Sequence, residues 1–136
     1  MLKVVVDTNV FISGLIKDDN PRTVINAFIG NKFQLIISED ILGELAYTLA
    51  KPRLSGLLAE PDASSLVGLI RKRAYLIRPR QKLTVCRDPK DDKFLEAALE
   101  AGADFIVTGD EDLLVLDPFQ GIPIITARDF IGRLEK

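Results

Sequence analysis

Residues 4–13 read Val-Val-Val-Asp-Thr-Asn-Val-Phe-Ile-Ser, VVVDTNVFIS. Three β-branched residues in a row leave no polar face, as in a strand covered on both sides. The run then stops at a carboxylate, Asp7, followed by Thr8 and Asn9. Burying a carboxylate is expensive unless something pairs with it. Two readings are open. Asp7 either caps a helix that begins near Val10, since Asp-Thr-Asn is good capping chemistry, or faces a ligand beyond the end of the strand.

Outward from this stretch, the chain alternates strand and helix. Lys3–Val6 is the first expected strand, Phe33–Ile37 the second, Tyr75–Ile77 the third, Phe105–Val107 the fourth and Ile122–Ile125 the last. Helices are expected over Val10–Ile16 and from Pro21 to about Ile29. Another follows Ser38, where Ile41, Leu42, Leu45 and Leu49 recur at helical spacing and Pro52 ends or bends it. Leu54–Leu58 is ambiguous. Pro61-Asp62 opens a helix to about Arg73. Asp91 or Asp92 opens one that Gly102 closes, and Thr126 caps a short C-terminal one. Runs such as VVV, LII and FIV are apolar on both faces. They predict an α/β fold of three layers, α/β/α, around a mainly parallel five-stranded sheet.

The chain has 136 residues, which predicts one domain, residues 1–136, with a sizeable core. No apolar run reaches the ~20 residues of a membrane span, and the N-terminus lacks a signal-peptide layout. With a single cysteine, Cys86, an intramolecular disulfide is excluded, and the expected location is the cytoplasm. The sequence contains no histidine. That removes Ser-His-Asp and Cys-His catalysis and His-ligated zinc. A resident metal must therefore be held by oxygen, which points to Mg²⁺ or Mn²⁺.

In open α/β sheets, ligands bind outside the carboxyl ends of the strands, where the strand order reverses. The acids converge there. Asp7 follows the first strand. Glu44 lies on the helix after the second, Asp91 and Asp92 open the helix that leads to the fourth, and Asp110 follows the fourth after Thr108-Gly109. Each has a plain reading, as a cap, a surface glutamate, a helix N-terminal acid or a turn acid. Taken together, they repel one another unless a cation sits among them. Such a site can activate water and stabilise the leaving oxygen of a phosphodiester.

Arg71 to Lys90 holds eight basic residues and one acid, Asp88, on a chain whose net charge is −2. A basic stripe of this kind either follows a phosphate backbone or is a solvated face.

Four segments in order resemble the PIN-domain ribonucleases over essentially the whole length. They are VVVDTNVFISGL (4–15), LIISEDILGELAYTLAKPRL (35–54), CRDPKDDKFLEAALEAGADFIVTGDEDLL (86–114) and IPIITARDF (122–130). The resemblance is greatest to the prokaryotic branch regarded as toxins of toxin–antitoxin pairs. It implies an Mg²⁺- or Mn²⁺-dependent endoribonuclease with Asp7, Glu44, Asp92 and Asp110 as catalytic, metal-holding acids. Asp92 is preferred as the third because Phe94 and Leu95 follow two and three positions later. Asp91 then caps the helix or shares the site, and Asp112 is an extra ligand or an outer acid. Thr8, Asn9, Ser38 and Thr108 are expected to orient ligands. Lys51, Arg53, Arg71, Arg73, Arg78, Arg80, Lys82, Arg87 and Lys90 are expected to grip RNA. The resemblance further implies an antitoxin protein as partner and a homodimer or higher oligomer, for which the helices 21–29 and 61–70 offer either surface or core.

Two other readings compete. A phosphatase of the haloacid dehalogenase type needs a second Asp two residues after the first, where this chain has Asn9. A PIN fold that binds RNA or protein without cutting needs no filled acid positions.

Overall fold

The computed structural model describes residues 1–51 and 63–135. The sheet contains β1 (Lys3–Val6), β2 (Gln34–Ile37), β3 (Tyr75–Leu76), β4 (Phe105–Val107) and β5 (Ile124–Ile125). Its order is β3-β2-β1-β4-β5, and every neighbouring pair is parallel. Val5 stands opposite Ile36 on one side and Ile106 on the other. Val4, Val5 and Val6 are all buried, as expected of the central strand of a sheet covered on both faces.

The described helices are α1 (Thr8–Ile16), α2 (Asn20–Ile29), α3 (Glu39–Leu49), α4 (Ala63–Arg73), α5 (Asp92–Ala101), α6 (Glu111–Leu114) and α7 (Ala127–Leu134), with a 3₁₀ turn at Pro89–Asp91. From β1 the chain steps outward to β2 and β3, then returns past the centre to β4. Crossovers between parallel strands are right-handed. Steps in opposite directions therefore place α1–α4 on one face and α5 on the other. The contacts agree: α1 packs on α2 and α3, α2 on α7, and α5 on β1, β2 and β4. The strand order reverses between β1 and β4, so the crevice at their carboxyl ends lies beside Asp7 and Thr108.

Several boundaries differ from expectation. α1 begins at Thr8 rather than Val10, because the Asp7 side chain caps it directly. α6 was not expected; it is a single turn started by Asp110. β5 is shorter than expected, beginning at Ile124. Pro52, Leu54–Leu58 and Pro61-Asp62 lie outside the described residues.

The core is aliphatic around a small aromatic group. Phe33 meets Phe130 edge-on at 5.1 Å between ring centroids, tying α7 to the sheet. The apolar residues of α2, namely Val24, Ile25 and Phe28, are buried within this core, as are Leu66 and Ile70 of α4. These helices thus use their main apolar faces internally. The α1–α2 contact is close because Gly14 has no side chain: a Cβ there would stand 2.8 Å from the Pro21 carbonyl oxygen. Among the described residues, no helix is long and apolar enough to cross a membrane.

Candidate active site

Asp7 stands at the carboxyl end of β1, its N–H bonded to the Val107 carbonyl of β4. Only 3% of it is exposed. Its Oδ1 accepts the Asn9 N–H at 3.1 Å, and its Oδ2 accepts the Thr108 hydroxyl at 2.7 Å. The capping reading holds for one oxygen, and the other is tied to Thr108 at the end of β4, beside the crevice. Burial holds its carboxyl above the usual range, against the pull of the Thr108 and Asn9 hydrogen bonds, and the charges of Asp110 and Glu44 push it the same way as burial.

Thr108, at the end of β4, is fully buried. Its Oγ1 donates to Asp7 and accepts the Asp110 N–H at 3.0 Å. One hydroxyl thus fixes two acids relative to each other. Asp110 caps α6 by accepting the Asp112 N–H at 2.9 Å. Asp112 joins this arrangement through that backbone N–H.

Asp91 and Asp92 point to different tasks. The Asp91 carboxyl is pushed up to about 7, first by burial, then by the charge and hydrogen bonding of Asp110, with Asp7 and Asp88 adding to it. It therefore lies within electrostatic reach of Asp110 and Asp7. Asp92 is buried, and its Oδ1 accepts the N–H groups of Val85 (3.1 Å) and Cys86 (2.8 Å). Burial opposes its ionisation, but those two bonds and the Cys86 thiol outweigh burial and hold its carboxyl below the usual range. The two adjacent acids thus differ in their surroundings: the Asp92 carboxylate is engaged by the backbone of the preceding loop, whereas Asp91 feels the charges of Asp110 and Asp7.

Glu44, half-buried on α3, is paired with Lys93 of α5, Oε2 to Nζ at 2.5 Å. Its charge still reaches Asp7. Ser38 is a helix cap, accepting the Ile41 N–H at 3.2 Å. Burial and the neighbouring acids Asp92, Asp91 and Asp110 push the Cys86 thiol up to about 12, which disfavours the thiolate.

The basic residues do not form one continuous stripe. Arg73 donates to the Ile29 carbonyl at the end of α2, and Arg80 pairs with Glu100 at the far end of α5. Arg71 lines a groove between α3 and α4, and Arg78 a pocket at the β3 edge. Lys51 lies over the Tyr47 ring, Arg87 is exposed beside Cys86, and Arg53 is outside the described residues. Lys82 and Lys90 are the two that share a pocket of about 440 Å³ with Glu44 and Lys93. The reason is the course of residues 80–86. Three acids one helical turn apart on α5 draw it along that helix in the opposite direction. Glu100 accepts the Arg80 N–H, Glu96 the Leu83 N–H, and Asp92 those of Val85 and Cys86. Successive basic side chains therefore fan out along the molecule. Neither this acid ladder nor Lys93 was anticipated from the sequence. The signal was the four-residue spacing of Asp92, Glu96 and Glu100 on a helix whose other inner positions are Phe94, Leu95, Ala97 and Ala98.

The sequence profile of the PIN-domain family matches residues 3–112. The chain belongs to the PIN-domain family. This PIN domain is 35% identical over 145 residues to the uncharacterized protein MJ1680 of Methanocaldococcus jannaschii, spanning 99% of this chain and 93% of the relative. Its fold is similar to the crystal structure of PAE2754 from Pyrobaculum aerophilum, with a TM-score of 0.66 at 17% identity over 99% of this chain and 90% of the other. It is also similar to VapBC2 from Rickettsia felis bound to a DNA fragment from their promoter, with a TM-score of 0.55 at 16% identity over 92% and 97% of the two chains. At these identities the two structural likenesses concern the fold.

The donor set of this PIN domain suits a hard divalent cation in chemistry: carboxylates, hydroxyls and no basic partner for Asp7, Asp91 or Asp110 among the described ion pairs. Thr8 Oγ1, buried next in sequence to Asp7, has no hydrogen-bond partner among the described residues, a need that a water or substrate oxygen would meet. As the side chains stand, no three acids or thiols among the described residues are close enough to hold one ion together.

Proposed function

We propose that this PIN domain is an Mg²⁺- or Mn²⁺-dependent endoribonuclease whose metal-holding acids are Asp7, Glu44, Asp91 and Asp110. The observation that carries the reading is the gathering of acids from separate segments where the strand order reverses: Thr108 bonds both the Asp7 carboxylate and the Asp110 N–H, and the carboxyls of Asp7 and Asp91, raised first by burial, are raised further by the charge of Asp110. A divalent ion, when bound, supplies neutralisation of that charge and activation of water against a phosphodiester. The chain's own residues do the rest. Asp7 is held by the sheet, and Thr108 keeps it in step with Asp110. Asp91, its carboxyl raised to about 7, would have to be deprotonated to help hold such an ion. Lys82 and Lys90 draw a phosphate backbone to the pocket beside Glu44.

Membership of the PIN-domain family, with the sequence resemblance to its prokaryotic toxin branch, supports a toxin role with an antitoxin protein as partner. Cleavage of a mixed RNA pool with Mn²⁺, beside Asp7→Asn and beside excess EDTA, tests the nuclease reading. Internal cuts that vanish in both controls support it. RNA binding without cuts at any Mn²⁺ or Mg²⁺ concentration supports the non-catalytic reading instead.

A further inference from the structure

Lys93 has no part in the reading above, yet it occupies a telling place. Its ammonium pairs with Glu44 Oε2 at 2.5 Å, and the lysine side chain is only 14% exposed. It also donates to the Lys90 carbonyl and lies 5.1 Å above the Phe94 ring. A lysine on a free surface pairs loosely and loses side-chain entropy when held. Lys93 is held on three sides, and its position on α5 directs it across to α3. Glu44, the acid that reaches the crevice from α3, meets a cation that belongs to the protein.

We propose that Lys93 is a resident cation that occupies Glu44 in the metal-free protein and sets the metal affinity of the site. It rests on the reading of Glu44 as a metal-holding acid. An ammonium brings a single charge on three N–H donors and offsets one carboxylate, whereas a divalent ion offsets two and takes several carboxylate oxygens as ligands. Glu44 therefore joins the other acids only when a divalent ion outcompetes Lys93. The affinity of the site is lower than four free carboxylates would give, and metal binding requires the α3–α5 ion pair to open. The same exchange releases the Lys93 ammonium into the pocket it already lines with Lys82 and Lys90.

Calorimetric titration of Mn²⁺ into the full chain, stripped of metal, tests this in a double-mutant cycle. The proteins are wild type, Lys93→Met, Lys93→Gln, Lys93→Arg, Glu44→Gln and the Glu44→Gln/Lys93→Met pair, each checked for folding by circular dichroism. Lys93→Met and Lys93→Gln should tighten binding roughly tenfold, the scale of coupling between residues in contact. Lys93→Arg should stay near wild type. In the Glu44→Gln background, Lys93→Met should gain at most about twofold, the part due to general charge. An equal gain in both backgrounds, no gain, or weaker binding in the folded neutral variants overturns the inference. If wild type binds Mn²⁺ and Asp7→Asn does not, while Lys93→Met changes nothing, the metal reading stands and the Lys93 inference alone falls. If wild type and Asp7→Asn bind alike, both fall.

Discussion

Thr108 donates its hydroxyl to Asp7 Oδ2 at 2.7 Å across 101 residues of sequence, and the same oxygen accepts the Asp110 N–H. One buried side chain thereby ties the Asp7 carboxylate to the backbone of Asp110, two acids that follow neighbouring strands. Thr108→Val keeps the shape and removes the hydroxyl. Loss of such an orienting group typically lowers metal affinity or activity by roughly 10–100-fold, and the buried Asp7 loses a hydrogen bond to a charged acceptor worth about 1.5–3 kcal/mol. Mn²⁺-dependent cleavage rates and urea unfolding of Thr108→Val check both. Unchanged activity would show that Asp7 and Asp110 need no such tie.

The adjacent acids Asp91 and Asp92 should separate cleanly. Asp92→Ala leaves the Val85 and Cys86 N–H groups without their acceptor and should destabilise the fold by about 2–3 kcal/mol. Asp91→Asn removes a repelled charge and should leave stability equal or higher while abolishing metal-dependent cleavage. Denaturation midpoints and cleavage rates measured side by side decide this. The opposite pattern, with Asp91→Asn unstable and Asp92→Ala stable but inactive, would restore Asp92 as the site acid.

The raised Asp91 carboxyl gives the metal-free protein an unusual pH dependence. A carboxyl whose pKa is higher folded than unfolded binds its proton more tightly in the folded state. Its stabilising contribution is present below the ordinary carboxylate value and is lost as pH rises from there to about 7. Asp7, also raised, acts in the same direction. Asp92 acts oppositely, its contribution being present above the ordinary value and lost as pH falls through its lowered pKa. In EDTA, the protein should therefore resist urea better at about pH 5 than at about pH 8. Asp91→Asn should flatten that slope, and Mn²⁺ should raise stability most at the higher pH. A wild-type profile that is flat between these values would contradict the assignment.

Away from the site, Gly14 is required by the close approach of α1 to α2. Gly14→Ala would set its Cβ against the Pro21 carbonyl, a backbone group that cannot swing aside. A loss of about 1–3 kcal/mol is expected, the usual cost of overpacking. Activity per folded molecule should be largely preserved, since Gly14 lies nearly two turns along α1 from its cap Asp7 and the other acids lie on other elements. Thermal unfolding with cleavage assayed well below the midpoint measures both.

The fold was legible because its strands are apolar on both faces and its helices carry caps at the right places: Ser38 before α3, Thr126 before α7, and Gly102 in the left-handed region after α5. Asp7 and Asp110 were legible as acids just beyond strands, and Glu44 as an acid on the helix after the second. The choice between Asp91 and Asp92 was not, because residues one apart on a helix start differ by about 100° in direction, and only the loop at 83–86 reveals which is engaged. The spread of the basic residues was not legible for a related reason. A count of charges along the chain cannot show that Glu100, Glu96 and Asp92 pull residues 80–86 along a helix and spread the side chains apart. Lys93 went unnoticed because its partner, Glu44, is forty-nine positions away and meets it only through packing of α5 near α3.

The central claim is that Asp7, Asp91 and Asp110 form a divalent-metal site. It is tested most directly by Mn²⁺ titration of wild type, Asp7→Asn and Asp110→Asn, followed by the electron paramagnetic resonance signal of free Mn²⁺. The account predicts that wild type removes Mn²⁺ from solution in a saturable way, and that each substitution abolishes that binding while circular dichroism shows an intact fold. Saturable binding of equal strength in all three folded proteins would contradict it.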